Sequence, residues 1–185
     1  RQLCNRVILI GNSTGATLAL WAAAEAPERD AIAALVLLSP NLGPVDERAP
    51  MMTWPWGNLL LWLIVGDEYG PPPGNAAQAE AWTSPFASKA LLPMMALVDL
   101  VNAPELLSRV KVPTLMLHSP DDQVVSVPAI KQGFEQLGST IKSRIEVLNA
   151  GSDNRHIIAG DRFSPATTAE VKTETLQFLD RAIEF

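Results

Sequence analysis

The chain has 185 residues, of which 48% are apolar and 18% are charged, and its formal net charge is −6. This balance provides a hydrophobic core and excludes a disordered chain, while the acidic surplus argues against a nucleic-acid partner because like charges repel. The single cysteine, Cys4, excludes a disulfide framework and a multi-cysteine zinc site. The longest apolar run, residues 59–65, is far shorter than the ~20 residues of a stable membrane span.

The first forty residues predict a strand, a helix and a second strand. Residues 7–10 are a short β-branched run that ends at Gly11, and residues 33–38 form a similar apolar run. Such runs are typical of strands that are buried on both faces of a parallel sheet. Residues 16–26 are rich in alanine and leucine and stop at Pro27, which predicts a helix. Together they predict a βαβ unit with a right-handed crossover.

A different pattern fills residues 41–111. Four of the five tryptophans fall in this region. Helical stretches are predicted at 58–65, 76–82, 88–100 and 103–109. We therefore expect an insertion between two strands rather than a further part of the sheet.

The alternation of strands and helices resumes after the insertion. Residues 114–118 and 143–148 predict a third and a fourth strand, and residues 127–137 and 167–183 predict helices. The sequence thus predicts an α/β fold with four mostly parallel strands and a helical insertion.

The turn between the first strand and the first helix carries a nucleophile motif. Residues 11–15 have the pattern G-x-S-x-G, and a strand before it with a helix after it is the setting of a nucleophile elbow. We expect the turn to strain the backbone of Ser13 and to require small residues at Gly11 and Gly15, because larger side chains would collide. The backbone N–H of Thr14, at the start of the helix, would then face a developing oxyanion. The alternative is a glycine-rich turn with an incidental serine.

A reactive serine needs a base, and the chain has two histidines. His118 ends the third predicted strand inside an apolar run, which is typical of a structural histidine at a strand end. His156 lies in a polar loop after the fourth predicted strand, where open α/β sheets place their sites. We therefore predict His156 as the general base.

The base in turn needs a carboxylate to orient it. Asp121 and Asp122 directly follow the third predicted strand, and either can serve. Their alternative role is turn formation, which is stronger for Asp121. Asp153 and Asp161 lie near His156 in the sequence and are lesser candidates.

Three segments of the chain resemble the α/β-hydrolase superfamily, and within it the serine esterase/lipase branch. They are VILIGNSTGATLAL at the elbow, VPTLMLHSPDDQVV at the acid and RHIIAGD at the histidine. The order of Ser13, Asp122 and His156 is the order of that superfamily. The resemblance implies that Asp122, in the pattern D-x-V, is the acid and that His156 is the base. A serine at the elbow differs from the aspartate of the dehalogenase and epoxide-hydrolase members.

The resemblance also implies a domain organisation. Residues 1–40 and 112–185 match strands five to eight of the hydrolase core, and residues 41–111 match the helical cap. Strands one to four and the loop with the second oxyanion donor have no counterpart here. We therefore expect the edge of the first strand to pair with a missing N-terminal part of the same protein or with a second chain.

The apolar residues of the predicted cap suggest a pocket for an acyl or alcohol group. Met51, Met52, Trp54 and Trp56 are candidate pocket residues, together with Asn12 at the elbow. The alternative is that the cap residues form the cap's own core.

The sequence therefore predicts a serine hydrolase of carboxylic esters that uses no cofactor and no metal. The alternatives with the same triad are a thioesterase, a perhydrolase and a carbon–carbon hydrolase. A hydrolase fold that binds a ligand without catalysis is a further alternative. A cytoplasmic location is favoured.

Overall fold

The computed structural model of the chain describes residues 5–70, 72–73, 76–81 and 83–183. Cys4 and Trp82 lie outside the described residues. The helices and strands follow in chain order: β1 (Val7–Asn12), α1 (Thr14–Glu25), β2 (Ile32–Leu38), α2 (Gly57–Val65), β3 (Glu68–Tyr69), α3 (Ala76–Ala81), β4 (Phe86–Ala87), α4 (Leu91–Val101), α5 (Pro104–Arg109), β5 (Thr114–His118), α6 (Val127–Gln136), β6 (Lys142–Glu146) and α7 (Pro165–Ala182).

Four strands form a parallel sheet in the order β1-β2-β5-β6. On one face, Leu20 of α1 and Leu107 of α5 pack in one core cluster with Met116 of β5. On the other face, Leu117 and Phe178 belong to a second cluster that includes α7. Burial on both faces explains why β2 and β5 are almost continuously apolar, and it confirms the predicted α/β class.

The fourth predicted strand ends earlier than expected. β6 stops at Glu146, and Leu148 is exposed because the chain turns at Asn149, which has a positive φ of 58°. The short antiparallel pair of β3 and β4 was not predicted, since two residues in each strand are too few to produce a periodic pattern.

The segment between β2 and β5 contains helices at the predicted places. Met95 and Val98 of α4 form a small cluster with Ala49, whereas Leu106 and Leu107 of α5 belong to the main core. The division into a core of 1–40 and 112–185 and a cap of 41–111 therefore stays a prediction. None of the helices described in the structure combines the length and the apolar character needed to cross a membrane.

Candidate active site

Ser13 stands between the last residue of β1 and the first residue of α1. Its φ of 52° and ψ of −122° lie where side chains other than glycine are strained. The Ser13 N–H donates to the carbonyl of Leu38 (2.9 Å), and the Ser13 carbonyl accepts from the N–H of Ala16 (3.0 Å). These bonds to β2 and α1 hold the strained turn, so its strain is maintained by the surrounding fold, as the elbow motif predicts.

Of the two glycines in the motif, only Gly11 has backbone atoms so close that a Cβ would collide with them. A Cβ on Gly11 would be 2.6 Å from the carbonyl oxygen of Gly15 and 2.7 Å from the Cα of Ala16. A Cβ on Gly15 would meet nothing within 4 Å. The prediction that Gly15 must also be small was wrong, because its Cβ would point away from the turn into open space at the first turn of α1.

Three side chains from different loops form one hydrogen-bonded line. His156 Nε2 lies 2.9 Å from Ser13 Oγ, and His156 Nδ1 lies 2.8 Å from Asp122 Oδ2. An ionised carboxylate only accepts, so Nδ1 carries the proton and donates to Asp122. The lone pair of Nε2 then faces the Ser13 hydroxyl, as a general base requires.

Burial and backbone donors fix the carboxylate. The Asp122 side chain is fully buried, and its Oδ1 accepts from the N–H groups of Val124 (2.8 Å) and Val125 (3.0 Å). These donors stabilise the charged form of a buried carboxylate, which would otherwise be costly to desolvate. The apolar residues after the aspartate thus supply two of its three hydrogen bonds through their backbone.

Two residues that sequence reasoning missed hold the loop of His156. Ser39 Oγ donates to the carbonyl of His156 (2.7 Å), and Asn154 Oδ1 accepts from the N–H of His156 (3.2 Å). The Asn154 carbonyl accepts from the N–H of Gln123 (3.0 Å), so the acid and histidine loops are joined directly. The only sequence signal for Ser39 was its position at the end of a buried strand.

The other candidates lie apart from this line. His118 is fully buried, donates from Nδ1 to the carbonyl of Ser119 (3.0 Å) and accepts from Arg144 at Nε2 (2.9 Å). Burial and the neighbouring Arg144 lower the pKa of His118. The other acid candidates, Asp121 and the lesser Asp153 and Asp161, are exposed.

The first turn of α1 begins at Thr14. Amides in the first turn of a helix have no partner within the helix and lie at the positive end of its dipole. The Thr14 N–H is therefore suited to an oxyanion on a carbon bonded to Ser13 Oγ. Asn12 precedes Ser13 in β1 and is half-buried.

An apolar cavity of about 370 Å³ lies in the segment after β2. Four methionines contribute to its wall, together with α2 and the loop that follows β2; the lining residues are Pro44, Asp46, Arg48, Ala49, Met51, Met52, Leu60, Leu61, Ile64, Val65, Tyr69, Leu91, Met94 and Met95. Met51 and Met52 were predicted, whereas Met94 and Met95 were missed. Trp54 and Trp56 do not line the cavity, and they are 59% and 73% exposed. Their role as pocket residues therefore stays a prediction.

The cavity adjoins the acid loop without containing the triad. Pro44 lines it and forms an isolated β-bridge with Val125, whose N–H donates to Asp122. At the cavity wall, Arg48 forms a bidentate ion pair with Asp46, in which Nε donates to Oδ1 (2.9 Å) and Nη2 donates to Oδ2 (2.7 Å). These hydrogen bonds lower the pKa of Asp46 to about 2. A second recess of about 440 Å³, between Trp21 and Arg109, lies at the opposite end of α1 from Ser13.

Within the described ranges, no group of three or more histidine, cysteine or carboxylate side chains is placed to hold a metal ion.

Known proteins similar to this chain share its fold. A model of the alpha/beta hydrolase family matches residues 1–170. A monoacylglycerol lipase of Paleococcus ferrophilus is 19% identical to this chain, with a TM-score of 0.71. The aligned region includes 98% of this chain and 71% of the lipase. A soluble variant of monoglyceride lipase from Saccharomyces cerevisiae is 16% identical, with a TM-score of 0.68. The aligned region includes 97% of this chain and 63% of the yeast protein.

The esterase domain of a Rhodothermus marinus protein is also similar. It is 18% identical, with a TM-score of 0.54, and the aligned region includes 94% of this chain and 59% of the esterase domain. No curated protein matches the sequence significantly. The chain thus spans less than two thirds of the yeast enzyme and of the Rhodothermus domain, and at these identities the likeness concerns the fold.

Proposed function

Because the chain belongs to the alpha/beta hydrolase family, we propose that it is part of a serine hydrolase that cleaves carboxylic esters with an apolar acyl or alcohol group. The observation that carries the proposal is the line from Ser13 Oγ through His156 to the buried Asp122, at 2.9 and 2.8 Å. A strained serine in hydrogen-bond contact with an oriented imidazole is the arrangement that activates a hydroxyl nucleophile.

The proposed reaction proceeds in two halves. Ser13 Oγ attacks the ester carbonyl carbon while its proton passes to His156 Nε2. The tetrahedral intermediate collapses, the bond to the alcohol oxygen breaks, and His156 returns the proton to that oxygen. Water then attacks the acyl group on Ser13 with His156 again as base, which releases the carboxylic acid and restores the serine.

Asp122 and Thr14 have supporting roles in this proposal. The Asp122 carboxylate keeps the proton of His156 on Nδ1 and stabilises the imidazolium that forms during each half-reaction. The Thr14 N–H donates to the oxyanion of the tetrahedral intermediate. Gly11 allows the turn that places both groups.

The apolar cavity supports the proposed substrate class. Its wall combines methionine and leucine side chains, and flexible methionines adapt to apolar groups of different shape. Pro44 lines the cavity and is bridged to Val125, whose N–H donates to Asp122, and this contact supports the assignment of the cavity to the apolar chain of the substrate. The proposal assigns Met51 and Met52 to the binding of that chain.

The free edge of β1 supports a further proposed partner. In the described part of the sheet β1 pairs with β2 alone, and Ile10 is 62% exposed. An apolar strand with an unpaired edge favours the addition of another strand. We propose that this strand comes from an N-terminal part of the same protein or from a second chain.

Labelling with a fluorophosphonate tests the proposal, because this probe reacts with an activated serine. We expect the label on Ser13 in the full-length protein and no label in Ser13→Ala. A panel of p-nitrophenyl esters of rising chain length, with matched thioesters, then defines the substrate. A folded protein that takes no label at Ser13 contradicts the proposed enzyme and supports a binding protein instead. Turnover confined to the thioesters supports the thioesterase alternative.

A further inference from the structure

Ser39, the residue that follows β2, lies between the turn of the nucleophile and the loop of the histidine. It is fully buried, and its Oγ donates to the carbonyl of His156 at 2.7 Å. This is the usual length of an O–H···O hydrogen bond, and a serine hydroxyl has one proton to donate. The hydroxyl of Ser39 is therefore fully used by the backbone of the proposed base.

The backbone around Ser39 binds the other side of the site. The N–H of Ser39 donates to the carbonyl of Leu117 in β5 (2.7 Å), and the carbonyl of Leu38, in the same peptide group, accepts from the N–H of Ser13 (2.9 Å). Two residues later, the N–H of Asn41 donates to the carbonyl of Ser13 (3.3 Å). The end of β2 thus binds both backbone groups of the nucleophile, and Ser39 extends from the same segment to the histidine loop.

The conformation of Ser39 is unfavourable for a residue with a side chain. Its φ is 43°, in the left-handed region that glycine adopts freely and most other residues avoid. A glycine would remove the strain, but it would also remove the hydroxyl. Because strained residues that the surrounding fold holds in place cluster at functional sites, the strain and the bonded hydroxyl together point to a role in the site.

The other hydrogen bond of the His156 backbone has a different effect. Asn154 Oδ1 accepts from the His156 N–H (3.2 Å), and the Asn154 carbonyl accepts from the N–H of Gln123 in the acid loop. These bonds orient the histidine and acid loops with respect to each other. Ser39 instead joins the histidine loop to the end of the sheet that holds Ser13.

We infer that Ser39 is a positioning residue of the proposed reaction, whose hydroxyl sets the distance between His156 Nε2 and Ser13 Oγ, 2.9 Å in this structure. Proton transfer requires these two atoms within hydrogen-bond reach, and a displacement of about 1 Å can lower a rate by about 100-fold. The inference rests on the proposed function, since it concerns the base and the nucleophile of that reaction. Ser39 acts on the backbone of His156 and not on the reacting atoms.

The variant Ser39→Ala of the full-length protein tests the inference, because it removes the hydroxyl and keeps Cβ. With a soluble p-nitrophenyl ester, we expect kcat to fall by about 10- to 100-fold and KM to change little. Ser39→Gly also lacks the hydroxyl but is not strained at this φ, so it should be more stable than Ser39→Ala and lose a similar factor in kcat. An unchanged kcat in either folded variant would overturn the inference.

Thr114 offers a matched control at the first residue of β5. It is fully buried, as Ser39 is, and its Oγ1 donates to the carbonyl of Val112 (2.9 Å). Thr114→Val removes this buried hydroxyl with little change in shape, at the end of the strand away from the acid loop. We expect a lower free energy of unfolding and an unchanged kcat. Equal losses of kcat in Thr114→Val and Ser39→Ala would overturn the inference in favour of a general loss of stability.

Combination with Asp122→Asn distinguishes positioning from an independent structural role. Ser39 and Asp122 both orient His156, so the double variant is expected to lose less kcat than the product of the two single losses. Thr114→Val combined with Asp122→Asn is expected to give that product. A full product for Ser39→Ala as well would overturn the inference.

A proton NMR spectrum tests the geometry without any substrate. The Nδ1–H of His156, bonded to Asp122 at 2.8 Å, should give a far-downfield resonance that is absent in His156→Gln. We expect Ser39→Ala to shift or broaden this resonance and Thr114→Val to leave it unchanged; no change in Ser39→Ala would overturn the inference. A wild type that hydrolyses no ester but whose resonance responds to Ser39→Ala contradicts only the proposed function. Equal kcat in the wild type and in Ser39→Ala contradicts only the positioning role.

Discussion

Two adjoining parts of the molecule depend on different kinds of contact. Around Ser13, the side chains of Asp122 and His156 are almost fully buried and are linked by directional hydrogen bonds of 2.8–2.9 Å. Along α2, one side packs on the cavity through apolar contacts, and Trp62 and Leu63 on the other side are 56% and 64% exposed. Under the proposed function, the first part carries the chemistry and the second part binds the apolar group of the substrate. Around Ser13, changing a single hydrogen-bonding atom should therefore have a large effect. Along α2, the effect of a substitution should depend on the side-chain volume that is lost from the packed side.

The largest expected effect comes from removing the nucleophile. Ser13→Ala is expected to lower kcat for ester hydrolysis by about 10⁶, as for the removal of a triad serine in other hydrolases. The free energy of unfolding should change little, since the substitution removes one hydrogen bond, the one between Ser13 Oγ and His156. Steady-state kinetics and urea unfolding measure the two quantities. A variant that keeps more than a tenth of the activity would show that another residue attacks the ester.

Asp122→Asn tests the role of the buried carboxylate. An amide in place of the carboxylate favours the wrong tautomer of His156, so kcat is expected to fall by about 10⁴. The matched control is Asp121→Asn, because Asp121 is the exposed neighbour and is expected to leave kcat nearly unchanged. The kinetics of both variants with one soluble ester decide the point. A larger loss in Asp121→Asn would reverse the assignment.

A pair of leucines on α2 tests the other part of the comparison. Leu61 is 3% exposed, and Leu61→Ala is expected to lower the free energy of unfolding by about 2–5 kcal/mol. Leu63 is 64% exposed, and for Leu63→Ala we expect a change of about 0.5 kcal/mol or less. Chemical unfolding gives both values. Equal destabilisation would mean that the side of α2 that carries Leu63 is covered in the native protein.

The two glycines of the elbow provide a similar pair within the site. Gly11→Ala would force backbone atoms apart and is expected to cost about 1–3 kcal/mol of stability together with activity. Gly15→Ala meets open space and replaces a glycine in a helix, so it is expected to stabilise by up to about 1 kcal/mol. Thermal unfolding and ester kinetics check the pair. A Gly15→Ala protein as impaired as Gly11→Ala would show that the turn is tight at both positions.

The smallest expected effect is a pH dependence from His118. Burial and Arg144 lower its pKa in the folded state, so the unfolded chain binds more protons as the pH falls through the usual histidine range. The free energy of unfolding should therefore rise with pH across that range. As the pH falls from the usual pKa of histidine toward the lower pKa of folded His118, the stabilising contribution of neutral His118 is lost. In His118→Asn, which can still donate to the Ser119 carbonyl, the difference in stability between pH 5 and pH 8 should be smaller. An unchanged difference would assign the pH dependence to other groups.

The order of strands and helices could be predicted because it rests on local patterns. β2 and β5 are buried on both faces, so their apolar runs were unambiguous. The strained turn at Ser13 also has a local cause, since a chain that passes from strand to helix within one residue needs Gly11. The loop positions of His156 and Asp122 follow from the same rule, which places sites after the ends of parallel strands.

The features that could not be predicted depend on contacts between residues that are far apart in the sequence. The bonds of Ser39 and Asn154 to His156 leave no pattern in the sequence, since a serine after a strand or an asparagine in a loop is common. Trp54 and Trp56 are exposed whereas Met51 and Met52 line the cavity, and apolar composition alone does not distinguish a cavity wall from an exposed surface. Gly15 was wrongly predicted because the motif does not reveal which glycine carries the steric limit.

The central claim is that Ser13 forms a covalent acyl intermediate with the ester. Rapid quenching of the full-length enzyme with a p-nitrophenyl ester, followed by mass spectrometry of its peptides, tests it most directly. We expect the mass of the acyl group on the peptide that contains Ser13, and no such adduct in Ser13→Ala. Ester hydrolysis with the adduct on another peptide, or with Ser13→Ala fully active, would contradict the account.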